Sequence, residues 1–183
     1  MQPKDRPQRI YVVGVTGSGK TYLARQLAAI TAYPYFDLDD LYWQPDWIKT
    51  PTEVFLQKVE TEIAQEQFIT TGNARVAAHI LWPRADLIIW LDYRFHVSFF
   101  RLLKRTITRL FDKQPMCNGN VETLRHVLSR ESIMLWLFES YEPISRRYVA
   151  ALDSPEYGTK MVRLCSPKQT AQWLAQFGKD FSS

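Results

Sequence analysis

Apolar runs and periodicities divide the chain into short strands that alternate with longer helices. Ile10-Tyr11-Val12-Val13 is a β-branched and aromatic run of the kind that forms a buried strand. Leu23, Leu27 and Ile30 then recur at helical spacing, which predicts a helix from Lys20 to about Ala32. Pro34 resets the chain, and Tyr35-Phe36-Asp37-Leu38 reads as a second strand that runs into the acids Asp39 and Asp40. Leu41 to Lys49 is aromatic, carries Pro45 and is too irregular for a regular element. Thr50-Pro51-Thr52-Glu53 predicts a helix start, with Thr50 as N-cap, Pro51 in the first turn and Glu53 closing a capping box. Phe55, Val59 and Ile63 give that helix one apolar face.

Phe68-Ile69-Thr70-Thr71 is a third strand, closed by Gly72-Asn73, and Arg75 opens a short helical piece that Pro83 ends. Leu87-Ile88-Ile89-Trp90-Leu91 is continuously apolar, as a central parallel strand is, and ends in Asp92. Phe99, Leu103, Ile107 and Leu110 mark the next helix, whose other positions carry Arg101, Lys104, Arg105 and Arg109. Asp112 to Asn120, with Lys113, Pro115 and Gly119, predicts a mobile loop. A helical stretch follows from about Val121 to Leu152, carrying Arg125, Arg130, Arg146 and Arg147, and Pro143 should break or kink it. Met161 to Cys165 is a fifth strand; Ser166-Pro167-Lys168-Gln169 is a second capping box, opening a last helix that Gly178 stops. Five strands alternating with helices predict a three-layer α/β/α domain with a five-stranded parallel sheet.

The length of 183 residues suits one domain, or one core with a small inserted lid, and is enough to bury a core without disulfides. A net charge of +4 suits an anionic ligand, while the absence of a long Lys/Arg run disfavours nucleic acid as partner. Cys117 and Cys165 share no metal-ligand spacing, and no secretory signal is visible, so a cytoplasmic protein with reduced thiols is expected. No apolar run reaches the ~18 residues that span a membrane. Met1 to Gln8 is polar, holds two prolines and reads as a loose tail.

The candidate chemistry centres on Gly14-Val15-Thr16-Gly17-Ser18-Gly19-Lys20-Thr21, which fits the phosphate-loop pattern G-x-x-x-x-G-K-[ST] between a strand and a helix. Gly14, Gly17 and Gly19 let backbone N–H groups turn inward on a polyphosphate, with Thr16, Ser18 and Tyr22 beside them, and the helix N-terminus adds its positive dipole end. Lys20 would reach the β- and γ-phosphates of ATP, and the Thr21 hydroxyl would hold Mg²⁺. Ligands of open α/β sheets sit beyond the carboxyl ends of the strands, so Asp37, Asp39 and Asp40 fall near this loop. There is no Asn-Lys-x-Asp base-recognition motif and no Leu-Ser-Gly-Gly signature, which argues against GTPases and transporter ATPases.

What remains resembles the small P-loop kinases: adenylate kinase, shikimate kinase and gluconate kinase. A wider resemblance rests on Phe36-Asp37-Leu38-Asp39-Asp40-Leu41-Tyr42-Trp43-Gln44-Pro45-Asp46-Trp47, on Ile69-Thr70-Thr71-Gly72-Asn73, on Pro83-Arg84-Ala85-Asp86 with Ile88-Ile89-Trp90-Leu91-Asp92, and on Arg101-Leu102-Leu103-Lys104-Arg105. This ordered set is similar to the adenylate-kinase-related proteins often labelled DNA topology modulation protein (FlaR-like). Thr71 stands where that family usually has Asp. The resemblance implies a nucleoside-monophosphate-kinase-like fold over residues 1–183, an acceptor-binding insertion at about 39–66 and a small helical lid at about 101–130.

It also implies an ATP- and Mg²⁺-dependent transfer of phosphate from a nucleotide donor to a small-molecule acceptor, with a nucleoside or nucleotide leading and a sugar acid open. By likeness to shikimate kinase, Asp37 would serve the metal and Asp39 the acceptor hydroxyl, while Asp92 is another candidate for Mg²⁺ through water. Arg101 and Arg105, one helical turn apart, would clamp the transferring group, with Arg109, Arg125 and Arg130 as further lid residues. Arg75, Tyr42, Trp43 and Trp47 would line the acceptor pocket, whereas Trp90 belongs to the core and His79, His96 and His126 carry no assigned chemistry. Monomer and homodimer are both open. The competing readings are an NTP-binding regulator that acts on DNA through a basic lid face, and a bare NTPase.

Overall fold

In a computed structural model, which describes residues 6–112, 117–121, 123 and 132–182, five parallel strands form one sheet in the order β2-β3-β1-β4-β5. The strands are β1 (Arg9–Gly14), β2 (Tyr35–Asp37), β3 (Phe68–Thr71), β4 (Leu87–Leu91) and β5 (Met161–Leu164). Among the described residues the helices are α1 (Lys20–Thr31), α2 (Leu38–Tyr42), α3 (Thr52–Ile63), α4 (Ala78–Arg84), α5 (Phe95–Asp112), α6 (Ile133–Leu152) and α7 (Pro167–Ser182).

Alternation along the strands builds a core on each face of the sheet. Tyr11, Val13, Ile88 and Trp90 point to one side, where Phe55, Val59 and Ile63 of α3, Leu81 of α4, Leu102 of α5 and Leu137 and Tyr148 of α6 pack. Ile10, Val12, Ile89 and Leu91 point to the other, against Leu23 and Leu27 of α1 and Trp173 and Phe177 of α7. Trp90 therefore is a core residue, as expected. At the start of the sheet, Asp86 accepts from the backbone N–H of Gln8 and Arg9 and pairs with the Arg9 guanidinium at 2.6 Å, tying β4 to β1.

Several boundaries differ from the sequence reading, each for a long-range reason. Leu38 opens α2 instead of ending β2, because Asp37 caps that helix by accepting from the Asp39 N–H. Thr50 does not cap α3: its hydroxyl donates to the Leu41 carbonyl at 3.1 Å, and Pro51 occupies the cap position without a side-chain bond. Residues 42–50 are more regular than their composition suggests. A 3₁₀ turn at Pro45–Trp47 sits inside a hairpin closed by a Trp43–Lys49 bridge.

Pro83 lies within α4, which ends one residue later. Pro143 neither breaks α6 nor ends it, since Leu137, Ser140, Ile144, Tyr148 and Ala151 bury one continuous face on both sides of it while Pro143 itself is exposed. Gly178 does not stop α7, because Trp173, Phe177 and Phe181 stack along the helix at 5.1 and 5.7 Å across that position. The second capping box is half realised: Ser166 accepts from the Gln169 N–H, but Gln169 returns to the Cys165 N–H. The expected loop at Lys113 and Pro115 and the expected helical start at Arg125, His126 and Arg130 lie outside the described residues, as do Met1 to Asp5 of the expected tail. Among the described residues no helix is long and apolar enough to cross a membrane.

Phe55 is fully buried between α3 and the sheet. Phe55→Ala should lower the free energy of unfolding by about 3–5 kcal/mol, measured by urea titration; a loss below about 1 kcal/mol would contradict this packing.

Candidate active site

The phosphate loop joins β1 to α1 and is wedged between two other elements. Gly17 (φ 77°) and Gly19 (φ 98°) lie in the left-handed region that favours glycine. Space is as restrictive as the dihedral angles. A Cβ on Gly14 would stand 2.7 Å from the Leu91 carbonyl oxygen at the end of β4, and one on Gly17 would collide with the Ser98 carbonyl oxygen of α5. The Ser18 N–H closes the turn on the Val15 carbonyl at 3.2 Å. Gly19 caps α1 without a side-chain bond, so no side chain competes for the N–H groups of its first turn. The Ser18 hydroxyl is buried with no hydrogen-bond partner. Thr16 is half-buried, and Tyr22, 70% exposed, projects into solvent.

The Lys20 ammonium donates to the Val15 carbonyl at 3.0 Å. Burial lowers its pKa, the charges of Asp39 and Asp37 oppose that, and Arg105 adds to the lowering. The end of β2 brings Asp37 to the loop: Thr21 Oγ1 donates to Asp37 Oδ2 at 3.3 Å, and the Tyr35 hydroxyl donates to the same oxygen at 3.0 Å. The Asp39 N–H binds the other oxygen at 3.0 Å. Tyr35 spends its proton on Asp37, so the buried Thr71 hydroxyl, 3.1 Å away, donates to Tyr35. Burial, then the Asp37 charge, raises the Tyr35 pKa.

Asp39 itself is open to solvent, although protein is dense around its carboxyl. The loss of hydration and the neighbouring Asp37 charge push the carboxyl up to about 6, with Lys20 opposing. Water still reaches the side chain, which limits what its ionisation costs the fold. Asp40 is raised chiefly by burial.

The basic residues divide. Arg101 lies against the loop, donating to the Ser18 carbonyl at 3.4 Å with its guanidinium 5.4 Å from the Tyr93 ring. Arg105, one turn on, is close enough to influence both Lys20 and Asp39. Leu102 and Thr106 beside them are buried, so this part of α5 belongs to the packed domain. Arg109 lies further out and acts on Cys117. Arg75 is exposed, the first residue of the 3₁₀ turn after β3. Tyr42, Trp43 and Trp47 form an edge-to-face chain, with ring centroids 5.0 and 5.7 Å apart, that Tyr42 anchors on the core residue Phe55 at 5.5 Å. Tyr42 is thus partly a packing residue. Asp92, the further candidate for Mg²⁺ through water, is engaged by Arg163, which donates to its Oδ2 from Nε at 2.8 Å and Nη2 at 2.6 Å.

Strand and helix periodicity assigns no role to five polar residues that shape this region. Asn73 brackets the first loop residue, donating to the Gly14 carbonyl at 2.6 Å and accepting from its N–H at 3.4 Å. Tyr148 of α6 donates to Asn73 Oδ1 at 2.9 Å, and Arg147 donates to the Tyr148 hydroxyl at 2.8 Å while its buried Nε has no partner. Asn118 and Asn120 bind the aromatic segment through its backbone. A separate cavity of about 680 Å³, lined by Arg9, Asp86, Lys160, Trp173 and Phe177, lies at the start of β1 and β4. Ligands of parallel sheets bind at the opposite, carboxyl end, so the phosphate loop and not this cavity marks the site.

The fold and loop define a P-loop α/β domain of the small-kinase type. The chain aligns over 97% of its length with a shikimate kinase structure from Bacteroides thetaiotaomicron (TM-score 0.56, 15% identity, all of that chain covered). It aligns over 96% with a gluconokinase structure from Sinorhizobium meliloti 1021 (TM-score 0.52, 16% identity, 96% of that chain covered). Among curated relatives, a shikimate kinase from Rippkaea orientalis is 29% identical over 121 residues, which is 58% of this chain and 65% of the relative. The chain covers 32 to 65% of the lengths of the first relatives it matches. No protein-family model matches it.

An acid with a raised folded pKa holds more protons in the folded state between about pH 4 and 6, so stability falls as pH rises through that window. Asp39→Asn should therefore melt above the unsubstituted protein at pH 8, and the difference should close as pH falls from 6 to 4. Melting curves across this range check it, and a gap that widens on acidification would contradict the assigned environment.

Proposed function

We propose that this chain transfers the γ-phosphoryl group of ATP to a hydroxyl of a small acceptor. The observation that carries the reading is the pair of acids at the end of β2: Asp37 bound to Thr21 of the phosphate loop, and Asp39 two residues on, within electrostatic reach of Lys20. Phosphoryl transfer needs positioning and charge neutralisation more than covalent chemistry, and these residues supply both. The loop amides and Lys20 hold the donor phosphates, with Lys20 exchanging the Val15 carbonyl for phosphate oxygens.

The Thr21 hydroxyl and Asp37 carboxylate are hard oxygen donors of the kind Mg²⁺ takes. Among the described residues no group of three or more His, Cys, Asp or Glu could cage a metal, which suits an ion that keeps waters and phosphate oxygens in its shell. When bound, Mg²⁺ neutralises charge on the β- and γ-phosphates. Thr71 stands where the adenylate-kinase-related proteins it resembles usually have Asp, and its hydroxyl supports Asp37 through Tyr35 instead of offering a second carboxylate. Asp39 orients the acceptor hydroxyl and takes its proton as the acceptor oxygen bonds to the γ-phosphorus and the bond to the ADP oxygen breaks. Arg101 and Arg105 neutralise the transferring group, while Arg75, Tyr42 and Trp43 hold the acceptor.

The likeness to shikimate kinases and a gluconokinase supports a hydroxy-acid acceptor. The aromatic segment and the adenylate-kinase-related (FlaR-like) resemblance support a nucleoside or nucleotide. A DNA-directed role gains nothing from the relatives, and Arg101 of the basic helix is directed to the phosphate loop. Free Cys117 and Cys165 accord with a cytoplasmic setting.

Coupled ADP release across shikimate, gluconate and a nucleoside and nucleotide panel tests the reading. One acceptor should raise turnover well above water, and Asp39→Asn should lower that turnover by about 10²–10⁴-fold with ATP binding retained. The rate should fall as pH drops through about 6, where Asp39 takes up its proton. The reading fails if no acceptor exceeds water and Asp39→Asn changes nothing.

A further inference from the structure

Asp46 (φ 62°) and Trp47 (φ 57°) are consecutive non-glycine residues in the left-handed region. Such a turn persists only where its surroundings over-determine it. The sequence offers no glycine to relieve it, and the local bonds are few: Gln44 N–H to the Ile48 carbonyl at 2.8 Å and Ile48 N–H to the Pro45 carbonyl at 3.4 Å. The rest of the support comes from a segment more than 70 residues away in sequence.

Asn120 is 4% exposed, and both its oxygen and its nitrogen are hydrogen-bonded. Its Oδ1 accepts from the Trp47 N–H at 2.9 Å, and its Nδ2 donates to the Gln44 carbonyl at 2.9 Å and the Cys117 carbonyl at 2.6 Å. One amide thus binds both sides of the strained turn as a neighbouring strand would. Asn118 adds two donations from its Nδ2, to the Asp40 carbonyl at 2.6 Å and the Trp43 carbonyl at 2.7 Å. These four contacts fall on the backbone from Asp40 to Trp47, which directly follows Asp39 and carries Trp43. The Cys117 thiol, pushed up to about 12 by burial and then by Asp39, Asp40 and Asp37, stays protonated and bonds the Asp40 carboxylate.

We propose that Asn118 and Asn120 are positioning residues that set the geometry of the acceptor pocket, clasping the Asp40–Trp47 backbone to the segment after α5. α5, which precedes this segment in the chain, packs on the phosphate loop at Gly17 and Ser18. The pocket function rests on the kinase reading above; the clasp itself does not.

The test pairs a structural readout with a kinetic one, on the full chain and its Asn118→Ala, Asn120→Ala and Asn120→Asp variants. In hydrogen exchange, Asn120→Ala should speed exchange of the amides of residues 44–48 at least tenfold, with β1, β3 and β4 unchanged. Asn120→Asp keeps the acceptor for Trp47 and should show a smaller effect. In the ADP-release assay, with whichever of shikimate, gluconate, a nucleoside or a nucleotide supports turnover, the alanine variants should raise acceptor KM at least tenfold. KM for ATP should stay within twofold. Unchanged exchange at 44–48 overturns the clasp. Faster exchange with unchanged acceptor KM, or with both KM values raised alike, overturns the positioning role. If no acceptor supports turnover in the unsubstituted protein, the kinase reading and the pocket role built on it fall together, while the exchange result still decides the clasp.

Discussion

The close approach of backbone to backbone at the phosphate loop is the constraint on which the rest of this structure depends. The Leu91 and Ser98 carbonyl oxygens lie where Cβ atoms on Gly14 and Gly17 would go. The loop therefore has its shape because β4 and α5 press on it from two sides, and only glycine permits that pressure. The same contacts bring Arg101 of α5 to the Ser18 carbonyl and set Lys20 over Val15. A loop held this way does not need a ligand to become concave, which is the preorganisation that electrostatic catalysis requires.

Polar bonds extend this bracing beyond van der Waals contact. Asn73, at the end of β3, pairs with both backbone groups of Gly14, and Tyr148 and Arg147 continue the chain of bonds into α6. Tyr11 ties the neighbouring Gly72 carbonyl back to β1 at 3.0 Å. Loss of hydration by burial drives the Tyr148 pKa up to about 12, so it stays a neutral donor. Thus β3 and α6, which contribute nothing to the phosphate-loop motif, fix where that motif starts.

Features controlled by local periodicity were legible in the sequence. β3 and β4 occupy the runs that alternation and continuity predict, and Phe55, Val59 and Ile63 bury the face that helical spacing assigns to them. The phosphate loop was legible because its dihedral demands fall on glycine. Features decided by distant partners were not. Thr50 has the chemistry of an N-cap, yet Leu41 takes its hydroxyl. Gly178 has the chemistry of a helix stop, yet an aromatic stack spans it. Asp92 ends a strand beside the loop as a metal ligand might, yet Arg163 across the β4–β5 edge claims it. Asn73, Asn118 and Asn120 act through their amides on backbone that periodicity cannot bring near them.

The acids at the end of β2 show how one short segment separates two roles. Asp37 accepts from Thr21, Tyr35 and the Asp39 N–H, so three donors fix the orientation of one carboxylate. Loss of hydration, and then the neighbouring Asp37 carboxylate, push Asp39 up to about 6. Two like residues at a spacing of two therefore differ because the α2 cap turns one inward to a set of donors and leaves the other open to solvent. A carboxylate oriented by three donors beside Thr21 has the geometry to meet a metal's waters, while one that exchanges a proton near neutrality suits a hydroxyl. The α2 cap supplies that division, and it exists because Leu38 is buried in the core and ends β2 at Asp37.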